Sequence, residues 1–434
     1  MNIAIVGYGS QGRSAYEYWR DGNDITVCDA NQQLELPSDV AQKLGPDHLS
    51  DLGAFDLIIR SPIIHPRDLV AANSPTILDK VTTVSNEFLR VCPTKNVIGV
   101  TGTKGKGTTS TLITKMLEAD GKTVHLGGNI GIPPLDLLHN DIQPDDWVVL
   151  ELANFQLIDL TYSPHLAACL LVVPEHLDWH GTMEDYVQAK QQLFRWQTGD
   201  DIAVYYAASE FSKQVVSVSG GTKLPYFAPP GALVENDLVT IDGQAICKTD
   251  EIKLIGTHNW QNVCAAVTVV WQITQNTEAI KSVLTSFAGL PFRIEFRREA
   301  NGIRYYNDSF ASAPHAPLAA IAAIPDKQVV ILGGFDRGLA LDDLAKNLLE
   351  HTDSIERLLL IGASGPRLAE CLDKYGFTNY QVSDAKDMPS VVVQASALAQ
   401  PGQAVVLSPG FASFDMFKNF EDRGIQFNEV VDTL

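Results

Sequence analysis

Three side chains in the first half of the chain could handle phosphate and a divalent cation: Lys106, Glu151 and His176. Lys106 lies in residues 96–110, NVIGVTGTKGKGTTS. Residues 97–100 are an apolar run that reads as a short buried strand. A turn of Gly102, Thr103, Lys104, Gly105, Lys106 and Gly107 follows, and Thr108 and Thr109 open a helix. Strand, glycine turn and helix start are the setting in which backbone N–H groups and a helix N-terminus cradle phosphates. Taken with Gly99, Gly105 and Lys106 as its frame, the stretch reads as G-x-x-x-x-G-K-[ST], with Gly107 where a hydroxyl residue is usual. Thr108 then supplies the Mg²⁺ hydroxyl one residue late. The competing reading is a glycine-rich turn that holds no ligand.

Glu151 closes the predicted strand 147–152, and His176 follows the predicted strand 167–173. Open α/β sheets gather ligands at the carboxyl ends of their strands, so both point toward the loop edge. The spacing His176-x-Asp178-x-His180 suggests zinc, but no third ligand stands nearby in sequence. One histidine beside an acid, helping to hold Mg²⁺ around ATP, fits better. Lys190 falls on a helix predicted from near Met183, with Tyr186 and Phe194 a turn to either side. Alone it reads as a solvated helical lysine.

The elements that must position these groups alternate between strand and helix. Residues 2–29 read as strand, glycine turn, helix, strand and acid. The turn carries Gly7, Gly9, Ser10 and Gly12 in a GxGxxG pattern, and Asp29 stands where such folds place a ribose-binding acid. That pattern suits NAD, NADP or any nucleotide diphosphate, because a helix N-terminus reads phosphate charge and not the base. A purely structural turn is the alternative. Residues 56–60 form a further buried strand ending in a turn at Ser61 and Pro62. Residues 201–255 read as short strands in a β-rich layer. Asn259 and Asn262 stand at a helix start, as caps or as amides reading an adenine edge.

From Gly289 the βα pattern restarts. Strands are predicted at 303–306, 328–332, 357–361 and 404–407, with helices at 314–324, 341–349, 365–374, 387–399 and 415–421. The predicted fold class is therefore α/β with three domains. Residues 1–91 form an N-terminal Rossmann-like domain, and residues 92–289 a central P-loop ATPase-type parallel sheet with a small β-rich layer. Residues 290–434 form a C-terminal Rossmann-like domain.

Composition narrows the field. A length of 434 residues suits two to four domains, and 45% hydrophobic residues suffice for packed cores. A net charge of −20 argues against a nucleic-acid surface, which would require a basic stripe. The six cysteines form no CxxC pair and read as reduced, mostly buried residues of a cytoplasmic protein. Neither a signal peptide nor a membrane span is expected.

Taken together, the motifs resemble the Mur ligase family of peptidoglycan synthesis along essentially the whole chain. The residues that carry the likeness are the P-loop, GGNIG at 127–131, ELANFQ at 151–156 and HLDWHGTMEDYVQAK at 176–190. To these are added GTHNWQN at 256–262, LPFR at 290–293, NDS at 307–309 and LSPGFASFDMFKNFEDRG at 407–424. The resemblance implies a cytoplasmic, monomeric ligase. ATP would phosphorylate the carboxylate of UDP-N-acetylmuramoyl-L-alanine, and the amine of glutamate would attack the acyl phosphate.

It also implies roles for single residues. Lys106, His176 and Lys190 would be catalytic. The loop residues 102–109, Asn259, Arg293 and Asp308 would bind the nucleotide. Two Mg²⁺ ions would be held by Thr108, Glu151, His176 and a carbamate formed on Lys190. Lysine is suited to that modification because its amine can be neutral when buried. Gly9, Ser10, Asp29, Ser61, Asn129 and Gln156 would contact the UDP substrate. Ser312, Arg337, Ser413 and Phe420 would form the glutamate pocket.

The chain departs from the family at Lys104, Gly107, residues 153–154, Phe310 and Arg337. These leave D-glutamate, L-glutamate or another acidic amino acid open. GTKGKG is also in the style of folylpolyglutamate synthases. A degenerate nucleotide-binding homologue and an NAD(P) oxidoreductase built on residues 1–91 are rivals of a different class.

Overall fold

Apolar runs that end in glycine turns become parallel strands, and their carboxyl ends line one edge of each sheet. The computed structural model describes residues 1–434 except Asp39, Ile130 and His258. Ile130 of the 127–131 motif and His258 of the 256–262 motif therefore lie outside the described residues. The chain forms two compact units. One comprises Met1–Glu251 with Trp260–Thr285, the other Ile252–Asn259 with Ser286–Leu434.

The first unit holds two parallel sheets. The N-terminal sheet runs Ala41–Leu44, Asp24–Asp29, Asn2–Val6, Leu57–Arg60, Val81–Thr82. Its register pairs Val6 with Cys28 on one side and Arg60 on the other. The larger sheet runs Thr222–Tyr226, Ile202–Tyr206, Leu166–Cys169, Val97–Thr101, Trp147–Glu151, Val124–Gly128. Val97–Thr101 is central and buried at every position, which explains why it reads as a continuous apolar run.

One apolar core runs through both sheets, joining Ile3, Ile5 and Phe88 to Leu135, Leu150 and Leu193. Each such side chain contributes roughly 1.5–3 kcal/mol on burial, whereas an exposed ion pair contributes about 0–1. Shared apolar packing, not surface charge, therefore dominates the union of the two sheets.

The expected β-rich layer at 201–255 needs correction. Ile202–Tyr206 and Thr222–Tyr226 extend the large parallel sheet, with the helix Glu210–Val216 between them. Only Leu233–Glu235, Leu238–Ile241 and Gln244–Lys248 form a separate antiparallel sheet. Short strands cannot be assigned to a sheet from sequence, because their partners are distant in the chain.

The second unit is built on the order Glu295–Ala300, Ile303–Asn307, Ala404–Leu407, Gln328–Gly333, Ile355–Ile361, Tyr380–Val382. Glu295–Ala300 pairs antiparallel and the remaining strands are parallel. The helix expected at 415–421 instead spans Phe420–Asp432. Asn419 caps it, its side chain accepting from the Asp422 N–H at 2.7 Å. Gly424 reads as a helix breaker but sits inside the helix, where a Cβ would press into the Phe292 ring. A close ring contact, not a turn, explains that glycine.

Candidate nucleotide-loop site

The turn after Val97–Thr101 is shaped by its backbone. Gly99 lies inside the strand and five residues separate it from Gly105, one more than the expected frame allows. The working loop is therefore residues 102–105. Gly105 caps the helix Lys106–Ala119 at φ +85°, where a Cβ would also collide with Asn262 Oδ1. Only glycine fits there. Thr103 ties the loop down: its N–H donates to Leu171 O at 2.8 Å, and its hydroxyl lies 3.0 Å from that of Tyr186.

Two ammonium groups converge on this loop. Lys106 Nζ donates to Gly102 O and Thr103 O, each at 3.1 Å. Lys190 Nζ donates to the same Gly102 O at 3.1 Å. Lys190 belongs to the helix Met183–Arg195, is fully buried, and has its ammonium 4.5 Å from the Tyr186 ring centre. Burial, reinforced by the charge of Lys106, lowers its pKa to about 7. The sequence suggests a solvated lysine, and the fold buries it because Tyr186, Leu193 and Phe194 face the core on the same helix.

Glu151 ends the adjacent strand, paired with Val100 in register. It is buried; Oε1 accepts from Asn129 Nδ2 at 2.9 Å, and Oε2 has no hydrogen-bond partner among the described residues. Among the described residues the buried hydroxyls of Thr101 and Ser110 also lack partners. Thr108 is half-buried, while Thr109 is buried with its hydroxyl 3.5 Å from Asn262 Oδ1, so Thr108 is the more accessible of the two.

His176 holds a left-handed backbone at φ +55° and is exposed. Although the residue as a whole is exposed, its ring packs 4.9 Å from Phe155, and this partial withdrawal from water lowers its pKa against the pull of Glu175 and Asp178. Lys104 pairs with Glu175 at 2.6 Å. Among the described residues no group of three or more His, Cys, Asp or Glu could hold a metal. The donors at hand are a carboxylate oxygen without a partner and a threonine hydroxyl. Such hard oxygens fit magnesium, which shares its shell with phosphates and water.

The N-terminal candidates surround the glycine turn of the other sheet. Gly9 caps the helix Ser10–Trp19 and Ser10 opens it. The Asp29 carboxylate accepts the N–H groups of Tyr8 and Asn31, both at 2.8 Å, so it holds the turn together. Ser61 follows the strand Leu57–Arg60, and its N–H donates to Val6 O at 2.8 Å. Gln156 is buried in the helix Asn154–Leu157, with its side chain accepting from the Ala153 N–H at 3.0 Å. The sequence offers no role for Arg60, although a charged residue in an apolar strand was the available signal. Its side chain is fully buried and pairs with Asp159.

In the second unit, Asp308 is buried and accepts from the Ser408 hydroxyl at 2.6 Å and the Ile294 N–H at 3.1 Å. Burial raises its pKa to about 7, against the pull of those bonds and of Arg293 and Arg423. The Arg293 guanidinium lies over the Phe310 ring at 3.7 Å, and Phe420 meets the same ring edge-on at 5.1 Å. Asn259 donates to Ile255 O at 2.7 Å. Ser312 donates to Phe310 O at 3.2 Å, Ser413 is buried, and Arg337 stands exposed. The loops bearing Arg337 and Ser413 are zipped by Gly333 N–H to Pro409 O and Phe335 N–H to Ala412 O, both at 2.8 Å. Arg423 escaped the sequence reading. It is buried, donating to Ser309 Oγ, Ser309 O and Phe411 O at 3.0, 2.9 and 3.1 Å.

The Mur ligase middle-domain model matches residues 100–270, and the model described as Mur ligase, glutamate ligase domain matches residues 292–411. A UDP-N-acetylmuramoylalanine–D-glutamate ligase from Acetivibrio thermocellus is 35% identical, over 100% of this chain and 96% of its own length. One from Clostridium kluyveri is 36% identical, with the same coverage. The fold is shared with MurF ligase from Thermotoga maritima, solved in complex with ADP. That likeness has a TM-score of 0.62 at 17% identity and covers 99% of this chain and 95% of that one. The likeness to the two D-glutamate ligases covers the whole of this chain at more than a third identity, and on that ground the chain belongs to the Mur ligase family.

Proposed function

We propose that this enzyme joins D-glutamate to UDP-N-acetylmuramoyl-L-alanine at the expense of ATP, in the cytoplasm and as a monomer. The observation that carries the reading is the loop of residues 102–105. There the amines of Lys106 and Lys190 meet one carbonyl oxygen, beside a strand end whose buried Glu151 keeps an oxygen without a partner among the described residues. Lys106 at the start of a helix favours a polyphosphate, and a buried carboxylate oxygen left without a partner among the described residues favours a divalent cation.

The chemistry follows from the groups present. A carboxylate is a poor acyl donor, so the acceptor carboxylate takes the γ-phosphoryl group and ADP departs. The glutamate amine then attacks the acyl carbon, an amide bond forms and phosphate leaves. Lys106 and the N–H groups opening Lys106–Ala119 neutralise phosphate charge. Bound Mg²⁺, two ions in this reading, would draw charge from the phosphate oxygens. Thr108, Glu151, His176 and a carbamate on Lys190 are the residues to hold it. Lys190 suits the modification because an amine with a pKa near 7 is substantially neutral at physiological pH.

Gly9, Ser10, Asp29, Ser61, Asn129 and Gln156 are assigned to the UDP substrate. Asn259, Arg293 and Asp308 are assigned to the nucleotide, and Ser312, Arg337, Ser413 and Phe420 to glutamate. Residues 1–91, 92–289 and 290–434 are the corresponding domains. The test is to incubate the enzyme with ATP, Mg²⁺, UDP-N-acetylmuramoyl-L-alanine and either enantiomer of glutamate, and to weigh the product. An amide product with D-glutamate in preference to L-glutamate supports the reading. Preference for L-glutamate overturns the enantiomer, and ATP binding without product overturns the ligase assignment.

A further inference from the structure

Arg60 ends the strand Leu57–Arg60, and its side chain is fully buried at the carboxyl end of the N-terminal sheet. Every nitrogen of its guanidinium is engaged. Nε and Nη2 form a fork on Asp159 at 2.7 and 2.8 Å. Nη1 donates to the carbonyls of Ser61, Pro62 and Ile64 at 3.2, 3.2 and 2.6 Å. Nη2 also donates to Phe155 O at 3.0 Å.

One planar group therefore fixes the turn after its own strand, and through Asp159 and Phe155 it fixes the helix Asn154–Leu157 of the larger sheet. A second tie runs alongside. Trp179 Nε1 donates to Ile63 O at 3.1 Å, and the Trp179 ring lies 4.2 Å from His65 and 4.9 Å from Phe155.

Among the described residues the guanidinium reaches backbone carbonyls and a carboxylate whose side chain is itself mostly buried, at 22% exposure. An apolar side chain could hold the two sheets together as well as this ion pair does, because burying a charge is expensive. What an apolar side chain lacks is direction. A rigid fork with five donors sets the angle between two backbone segments.

We propose that Arg60 is the positioning residue of the acceptor site. It holds the Ser61 turn and the Gln156 helix at the spacing the UDP-linked acceptor requires. The inference rests on the proposed function, since Ser61 and Gln156 are acceptor contacts only under that reading.

The test uses two variants of the full chain. In Arg60→Met/Asp159→Leu both charges are removed together, so neither is left buried alone. Arg60→Lys keeps the charge and loses the fork. Both are expected to raise the KM for UDP-N-acetylmuramoyl-L-alanine about tenfold or more, with the KM for ATP within about twofold. Hydrogen exchange should show residues 61–65 and 153–157 losing protection together. An acceptor KM unchanged in both variants, or an equal rise for ATP and acceptor, overturns the proposal. If the unaltered enzyme accepts no UDP-linked muramoyl substrate, the proposed function fails. The exchange data then decide the role of Arg60: joint loss of protection upholds it as the tie between the two segments, and unchanged protection rejects it.

Discussion

Lys190 and Arg423 are both cations withdrawn from water, one beside the nucleotide loop and the other in the second unit, and they are held in opposite ways. Arg423 meets three acceptors, two of them backbone carbonyls, and its pKa falls only to about 10. Burial lowers it, while Asp415 and Asp308 raise it. Among the described residues Lys190 donates one hydrogen bond, although an ammonium has three protons to place. Burial lowers its pKa to about 7, and the largest charged influence on it is another cation, Lys106. A satisfied guanidinium is a strut. An ammonium with one acceptor is ready to lose its proton and react. Arg60 belongs with Arg423, since its donors are also fully used.

The difference can be attacked from the structural side first. Arg423→Met should lower the unfolding free energy by about 3 kcal/mol, because Ser309 O and Phe411 O lose a buried donor. Denaturant unfolding measures it, and a loss under about 1 kcal/mol would mean Arg423 is not a strut.

A pH series sharpens the other half. The folded-state pKa of Lys190, about 7, lies below its usual 10.5, so between these values the unfolded chain binds the extra proton. The contribution of Lys190 to stability should therefore rise as pH rises from about 7 toward 10.5, and Lys190→Met should remove that rise. Melting curves across that window test it. Identical slopes in the two proteins would put the lysine back in water.

The smallest effect belongs to Lys104. Its ion pair with Glu175 is half exposed on the lysine side, and such pairs contribute about 0–1 kcal/mol. Lys104→Ala should leave the melting temperature nearly unchanged. A large drop would show that the loop depends on this pair more than on Thr103.

Much of this was legible in the sequence where the signal is local. Asn2–Val6 and Ala404–Leu407 are uninterrupted apolar runs beside turns, and they form the strands expected of them. The strand–turn–helix around Lys106 is likewise readable, apart from the placing of Gly99. Edge strands such as Glu295–Ala300 were not readable, because half of their residues face water and their pattern is weak. The last helix was expected at 415–421 but spans Phe420–Asp432, and it accommodates Gly424 through a close contact with the Phe292 ring.

The under-partnered state of Lys190 and Glu151 and the saturation of Arg60 were hidden for one physical cause. A residue type and a spacing show that a charge exists. They do not show how many acceptors the fold brings to it from segments as distant as residues 60 and 159.

The most direct measurement is phosphate release by Lys190→Ala, with and without a small carboxylate such as acetate. Activity should fall by about 100-fold or more while cooperative melting is retained, because the side chain removed has chemistry to do and little structure to hold. Acetate should restore part of it by standing in for a carbamate. Full activity in Lys190→Ala would contradict the account.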